Sequence, residues 1–187
     1  FNRDGRLDVV VAGTGGFAVA LGVGNGTFQN GTLHAQATAG TYVMTADFNN
    51  DGFMDFVGST PTSGYTYLGN GAGGFGLPVS TMIIPYGAVT ARFNSDAFPD
   101  IAMMTVQPRQ DGSNHAISIS LGLGNGRFQG YSNYVTGVPM YGLATGDYNL
   151  DGRTDTATWM SSTQKIRVSA TDGTRVGTGD LLASNTN

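Results

Sequence analysis

Asp47, Asn49, Asp51 and Asp55 stand at the first, third, fifth and ninth places of one short segment. Asp147, Asn149, Asp151 and Asp155 repeat the spacing further along the chain. A curling backbone aims alternate side chains at one point, and Gly52 or Gly152 permits the sharp turn that follows. The seventh places, Phe53 and Arg153, contribute backbone carbonyls whatever their side chains. Five or six hard oxygens with no nitrogen or sulfur ligand fit Ca²⁺ better than Zn²⁺. An EF-hand opens in the same way but needs a bidentate Glu at its twelfth place and a helix afterwards. Here the twelfth places are Gly58 and Thr158, and β-type sequence follows.

Two further segments carry the pattern with changes. Asn2, Asp4, Arg6 (through its carbonyl) and Asp8 form a weakened first site, because the chain starts one residue too late to supply the opening aspartate. In the third, Arg92, Asn94, Asp96 and Asp100 align, but Arg92 replaces the first ligand and Ala97 replaces the glycine. A guanidinium at that place repels a divalent ion. Arg92 is therefore expected to substitute for the metal by pairing with Asp96 or Asp100. All 13 acidic residues are aspartate and ten of them lie in these four loops, as ligation would require and a solvated surface would not. The formal charge of −4 then says little about partners, since bound cations would cancel it.

The elements that must hold these loops repeat with them. The central aspartates Asp4, Asp51, Asp96 and Asp151 are 47, 45 and 55 residues apart. A period of about fifty suits one four-stranded propeller blade. Between the loops recurs a second motif: Leu21 to Phe28, Leu68 to Phe75 and Leu121 to Phe128. Its Asn-Gly pairs predict tight hairpins whose two central residues both take positive φ. Small-residue runs beginning at Tyr42, Tyr86 and Tyr141 read as innermost strands, while Ile117 to Ser120 and Ile166 to Ser169 alternate as half-buried strands do. The expected architecture is all-β: blades of four antiparallel strands at roughly 1–38, 39–82, 83–138 and 139–187 of a single domain. About four repeats belong to a larger ring or one completed by another chain, since closure needs about four to eight blades.

With loops and strands in place, the chain resembles the FG-GAP/VCBS repeat family, which includes the integrin α-subunit propeller. The resemblance rests on Asp-x-Asn-x-Asp-Gly-x-x-Asp recurring at blade spacing, and it weakens over the last fifteen residues. It implies calcium in loops between the first two strands of each blade, and binding of protein or carbohydrate through loops on one face.

Composition narrows the function classes. Charged residues make up 12% of the chain and glycine contributes 30 residues, which favours strands and turns over helices. The eight arginines and single Lys165 are dispersed, so no basic stripe addresses nucleic acid. No apolar run is long enough to insert in a membrane, and there is no cysteine for a disulfide framework. The chain opens inside a motif, so any export signal is expected upstream. The absence of glutamate and of any His-Asp-Ser constellation argues against catalysis, including that of the polysaccharide-active enzymes that carry such propellers.

These readings lead to an extracellular, secreted or cell-surface module for adhesion or lectin-like binding, with no catalytic residues. The alternative is a structural subunit of a filament or surface layer. Open blade edges predict self-association or the remainder of a longer parent chain. Asn25 and Asn30 open two glycosylation sequons. Tyr42, Tyr86, Tyr141, Phe28, Phe75, Phe128 and Trp159 read as packing residues, and His34 and His115 as surface residues.

Overall fold

The computed structural model describes residues 1–81, 87–106, 115–135, 138–160, 165–171 and 176–183, so Tyr86 lies outside it. Every regular element is a strand, and the strands form four antiparallel sheets in sequence order. The first sheet holds β1 (Val9–Gly13), β2 (Gly16–Ala20) and β3 (Thr32–Ala35). The second holds β4 (Tyr42–Ala46), β5 (Asp55–Ser59), β6 (Gly64–Tyr67) and β7 (Val79–Thr81). The third holds β8 (Ala88–Ala91), β9 (Asp100–Val106), β10 (His115–Ser120) and β11 (Ser132–Val135). The fourth holds β12 (Met140–Gly146), β13 (Asp155–Met160), β14 (Lys165–Thr171) and β15 (Val176–Ala183). Strands follow one another across each sheet, as a four-stranded blade requires.

The chain divides into two compact units. One contains residues 1–85 with 122–128; the other contains 86–121 with 129–187. Each has a core between two sheets. In the first unit Phe17 and Val19 of β2 meet Phe56 of β5 and Tyr67 of β6. The Phe56 and Tyr67 rings stack at 4.4 Å, and Phe17 lies 5.9 Å from both. Glycine makes this approach possible: a Cβ on Gly58 would sit 2.5 Å from the Phe17 ring. In the second unit Ala102, Ile117 and Ile119 form the core with Phe93 and Met140, and Val89, Tyr134 and Leu143 pack around them.

The Asn-Gly turns differ from the sequence expectation. Positive φ falls on Gly24 and Gly26, not on Asn25, and likewise on Gly71 and Gly73 and on Gly124 and Gly126. The Val23 N–H donates to the Thr27 carbonyl at 2.9 Å, while Asn25 Oδ1 accepts from the Thr27 N–H at 3.0 Å. Asparagine acts here by accepting backbone hydrogen bonds, and the glycines on either side absorb the curvature. Both sequon asparagines are exposed.

His34 also departs from expectation. Its ring is half-buried against Phe56, Tyr67 and Phe75, with centroids 5.3 to 5.6 Å apart. Burial holds its pKa below the ordinary value of 6.5. The unfolded chain therefore takes up the proton first, so stability from a neutral His34 is present above pH 6.5 and lost as pH falls below it. His34→Gln should flatten the fall in urea midpoint between pH 7 and pH 5. Superimposable profiles for the two proteins would show that the ring is not buried in this way.

Candidate functional site

Each aspartate loop is built from a run of turns closed by its own side chains. In the second loop Asp47 Oδ1 and Oδ2 accept from the Asp51 and Gly52 N–H groups at 3.1 and 2.8 Å. Asp51 Oδ1 accepts from the Phe53 N–H at 2.8 Å, and the Asn49 amide donates to Asp51 Oδ2 at 2.7 Å. The fourth loop repeats the set through Asp147, Asn149, Asp151 and the Arg153 N–H, at 2.9 to 3.1 Å. Two left-handed residues make the curl: Asn50 and Gly52 at φ 57° and 85°, Leu150 and Gly152 at 61° and 84°. The first loop has the same pair in Arg3 and Gly5. There the Arg6 N–H donates to Asp4 Oδ1 at 2.9 Å, and the Asn2 amide donates to Asp4 Oδ2 at 3.1 Å.

The third loop is different, for a visible reason. Neither Ser95 nor Ala97 takes a left-handed conformation; Ala97 stands where the other three loops have glycine, and its Cβ makes that conformation costly. Asn94, Asp96 and the Phe98 N–H keep their mutual bonds at 2.8 to 3.0 Å. Arg92 is exposed, and among the described residues no ion pair joins it to Asp96. Asp100 instead accepts from the Phe93 N–H at 2.8 Å. The expected internal pairing of Arg92 is therefore not the arrangement observed.

The ninth-place aspartates do something the sequence reading missed. Asp55, Asp100 and Asp155 are fully buried. The Phe48 N–H donates to Asp55 Oδ2 at 2.8 Å, and the Gly69 N–H donates to Oδ1 at 2.7 Å. Asp8 receives the Phe1 nitrogen and, at 2.9 Å, the Gly22 N–H. Asp155 receives the Tyr148 and Thr171 N–H groups, each at 3.1 Å. One carboxylate thus clasps the loop entrance to the start of a distant hairpin. Gly22 and Gly69 are glycine because a Cβ would lie 2.1 and 2.3 Å from the carbonyls of Leu7 and Met54. The signal was present in the constant interval of 14 residues from Asp8 to Gly22 and from Asp55 to Gly69.

Burial pushes the Asp55 carboxyl up to about 6, against the opposing pull of the Gly69 and Phe48 N–H groups. The charges of Asp51 and Asp47 push in the same direction. Among the described residues no three acidic or histidine side chains are gathered closely enough to hold a metal ion. The donors at each loop tip are nevertheless all oxygen, and a carboxylate oxygen that accepts one N–H retains a second lone pair. By donor type Asp47, Asn49, Asp51 and the Phe53 carbonyl fit a hard cation, as do Asp147, Asn149, Asp151 and the Arg153 carbonyl.

Residues read as packing groups divide into two sets. Tyr42 is half-buried, Phe75 packs on the first core and Phe128 lies 5.5 Å from Phe48. Tyr141, Trp159 and Phe28 are instead well exposed. Trp159 and Tyr141 share a shallow apolar depression with Leu143 and Ile166 on the fourth sheet.

Residues 1–58, which span the first two loops, match the model of the FG-GAP-like repeat. The structure is similar to a solved lectin of Agrocybe aegerita described as recognising non-reducing terminal N-acetylglucosamine. The TM-score is 0.69 at 18% identity, over 97% of this chain and 50% of the lectin's. The chain therefore spans about half the length of that protein. No curated protein sequence matches it. The chain carries an FG-GAP-like repeat over residues 1–58 and has the all-β, four-stranded-blade fold of a β-propeller.

Proposed function

We propose that the chain is an extracellular, non-catalytic propeller module that binds carbohydrate, with Ca²⁺ setting the loops at Asp47 to Asp55 and Asp147 to Asp155. The observation that supports it most is the likeness of 97% of the chain to an N-acetylglucosamine-recognising lectin, joined to the FG-GAP-like match over residues 1–58. A glycan array in millimolar Ca²⁺ tests the binding class. Retention on glycans ending in N-acetylglucosamine, weakened by EGTA, is the expected result. A blank array beside a positive protein-ligand screen would move the reading to protein binding.

In this reading Asp47, Asn49 and Asp51 meet the ion at the loop tip, and Asp55 behind them holds the loop to its blade. The ion supplies positive charge that offsets the crowding of carboxylates. Ligand linkage then predicts a higher melting temperature with calcium, from about 3 kcal/mol of stabilisation per occupied loop at a hundredfold excess over Kd. Asp51→Ala should lose most of the share due to its loop while leaving stability in EGTA within about 1 kcal/mol, as exposed loop residues do. Calorimetry that finds equal melting temperatures in calcium and EGTA would remove the ion from the account.

A further inference from the structure

We infer that the outer end of the joint between the first and second sheets is a sugar site, shaped for a neutral ring bearing an acetamido group. The inference rests on the carbohydrate reading and gives it a location. Every residue that lines the site lies between His34 and Pro78, inside one compact unit.

The end of β3 faces the segment that leads into β7 across a cavity of about 380 Å³. That volume stands at the small end of the range for small-molecule sites, about 300–1,000 Å³. Three polar side chains line it: His34, Gln36 and Tyr67. The Gln36 amide nitrogen donates to the Tyr67 hydroxyl, whose own proton meets no acceptor among the described residues. Tyr67 is 2% exposed, and a buried donor left without an acceptor is both destabilising and rare in native chains. The Gln36 carbonyl oxygen and both ring nitrogens of His34 are likewise unpaired among the described residues. A partner from outside the chain would satisfy them together.

The wall selects the kind of partner. None of the lining residues is Asp, Lys or Arg, and burial keeps the His34 ring neutral at pH 7. An ionic ligand would lose its water there without compensation. A sugar has the required two-sided chemistry. Its acetamido carbonyl can accept from Tyr67 and its acetamido N–H can donate to Gln36, while His34 offers one donor and one acceptor to ring hydroxyls. Phe75, Leu77 and Pro78 supply an apolar wall for the methyl group and the C–H face. Leu77 is 91% exposed, so it contributes to the cavity and not to the core.

The matching joint in the second unit lacks this set. Phe17 pairs with His34 in the first sheet as Ile117 pairs with Tyr134 in the third. The residue after the ninth-place aspartate pairs with Tyr67 in the second sheet and with Ser169 in the fourth. Tyr134 there meets the Arg167 guanidinium at 5.6 Å. The polar cavity is therefore particular to the first joint and is not a by-product of the repeat.

The test uses the whole chain in millimolar Ca²⁺, with free N-acetylglucosamine and, as control, glucose. The chain has two histidines, and His115 lies in the other unit. Imidazole nitrogen–proton spectra of the labelled chain, assigned with His34→Gln, should show the His34 signals moving with N-acetylglucosamine. Those of His115 should stay fixed, and glucose should move neither. Gln36→Leu keeps the bulk and removes the amide, so Kd should rise about tenfold, the loss of one hydrogen bond. Leu77→Asp alters an exposed residue, so its melting temperature should match the unmodified chain while binding weakens by a similar factor. Retention on the glycan array with His34 unmoved and both variants binding normally puts the sugar elsewhere. That result overturns the inference and leaves the carbohydrate reading standing. Glucose moving His34 as far as N-acetylglucosamine does overturns the acetamido assignment. A chain that no glycan on the array retains overturns both.

Discussion

Phe17→Ala is expected to be the most damaging single change in the first unit, lowering its unfolding free energy by about 3–5 kcal/mol. The ring is wholly buried and lies within 6 Å of both Phe56 and Tyr67, so truncation removes aromatic contact and leaves a void. The backbone of the second sheet cannot collapse far into that space, because β5 is fixed by pairing with β4 and β6. Gly58→Ala tests the same contact from the other side. Alone it should destabilise, since its Cβ would fall 2.5 Å from the ring. In the Phe17→Ala background it should be close to neutral, because the obstruction is gone and part of the void is filled. Differential scanning calorimetry of the four proteins measures this coupling. Additive losses would show that Phe17 does not lie on Gly58.

The second large effect concerns Asp55 and pH. Its folded carboxyl titrates at about 6, against 3.8 for the ordinary group, so the folded state holds the proton more tightly than the unfolded one. Its contribution is complete below about pH 4 and is lost as pH rises through about 6. The difference is about 3 kcal/mol by proton linkage. Asp55→Asn removes the titration and sets an amide NH₂ against one of two backbone donors, which costs about 1–3 kcal/mol. Urea unfolding in EGTA at pH 4, 5, 6 and 7 should therefore show a slope in the unmodified chain that the variant lacks. Parallel slopes would assign the pH dependence to another group.

Much of the fold could be read from residues whose meaning is local. Asp-x-Asn-x-Asp marked four loops because alternation and a following glycine are backbone requirements, and the Leu-Gly segments marked three turns for the same reason. The shape of those turns was misread because Asn-Gly has more than one solution. The glycines beyond the Asn-Gly pair, at positions 24, 73 and 124, take positive φ in place of asparagine. Side-chain roles were legible only where one sheet decides them. Trp159 sits one strand after a loop, as a core residue would, yet its exposure depends on a neighbouring sheet that local pattern does not encode. His34 showed the converse: a polar residue on an edge strand, half-buried by aromatic rings from another blade. The double use of aspartate was hidden too. Side-chain type does not distinguish Asp51, whose partners lie within its own loop, from Asp55, whose partners include a backbone donor 14 residues away.

Gly69 and Phe48 answer to Asp55, whereas Asp47, Asn49 and Asp51 bond to one another and to the Gly52 and Phe53 N–H groups of their own loop. Divergence can therefore act on the tip without disturbing the buckle, as the segment from Arg92 to Asp100 illustrates. A lineage of such repeats is free to discard or recover ion ligands through single codon changes while every daughter copy still folds. The same separation offers an engineer a graft point, where foreign peptide replaces the residues between Phe48 and Asp55 and the buckle stays fastened.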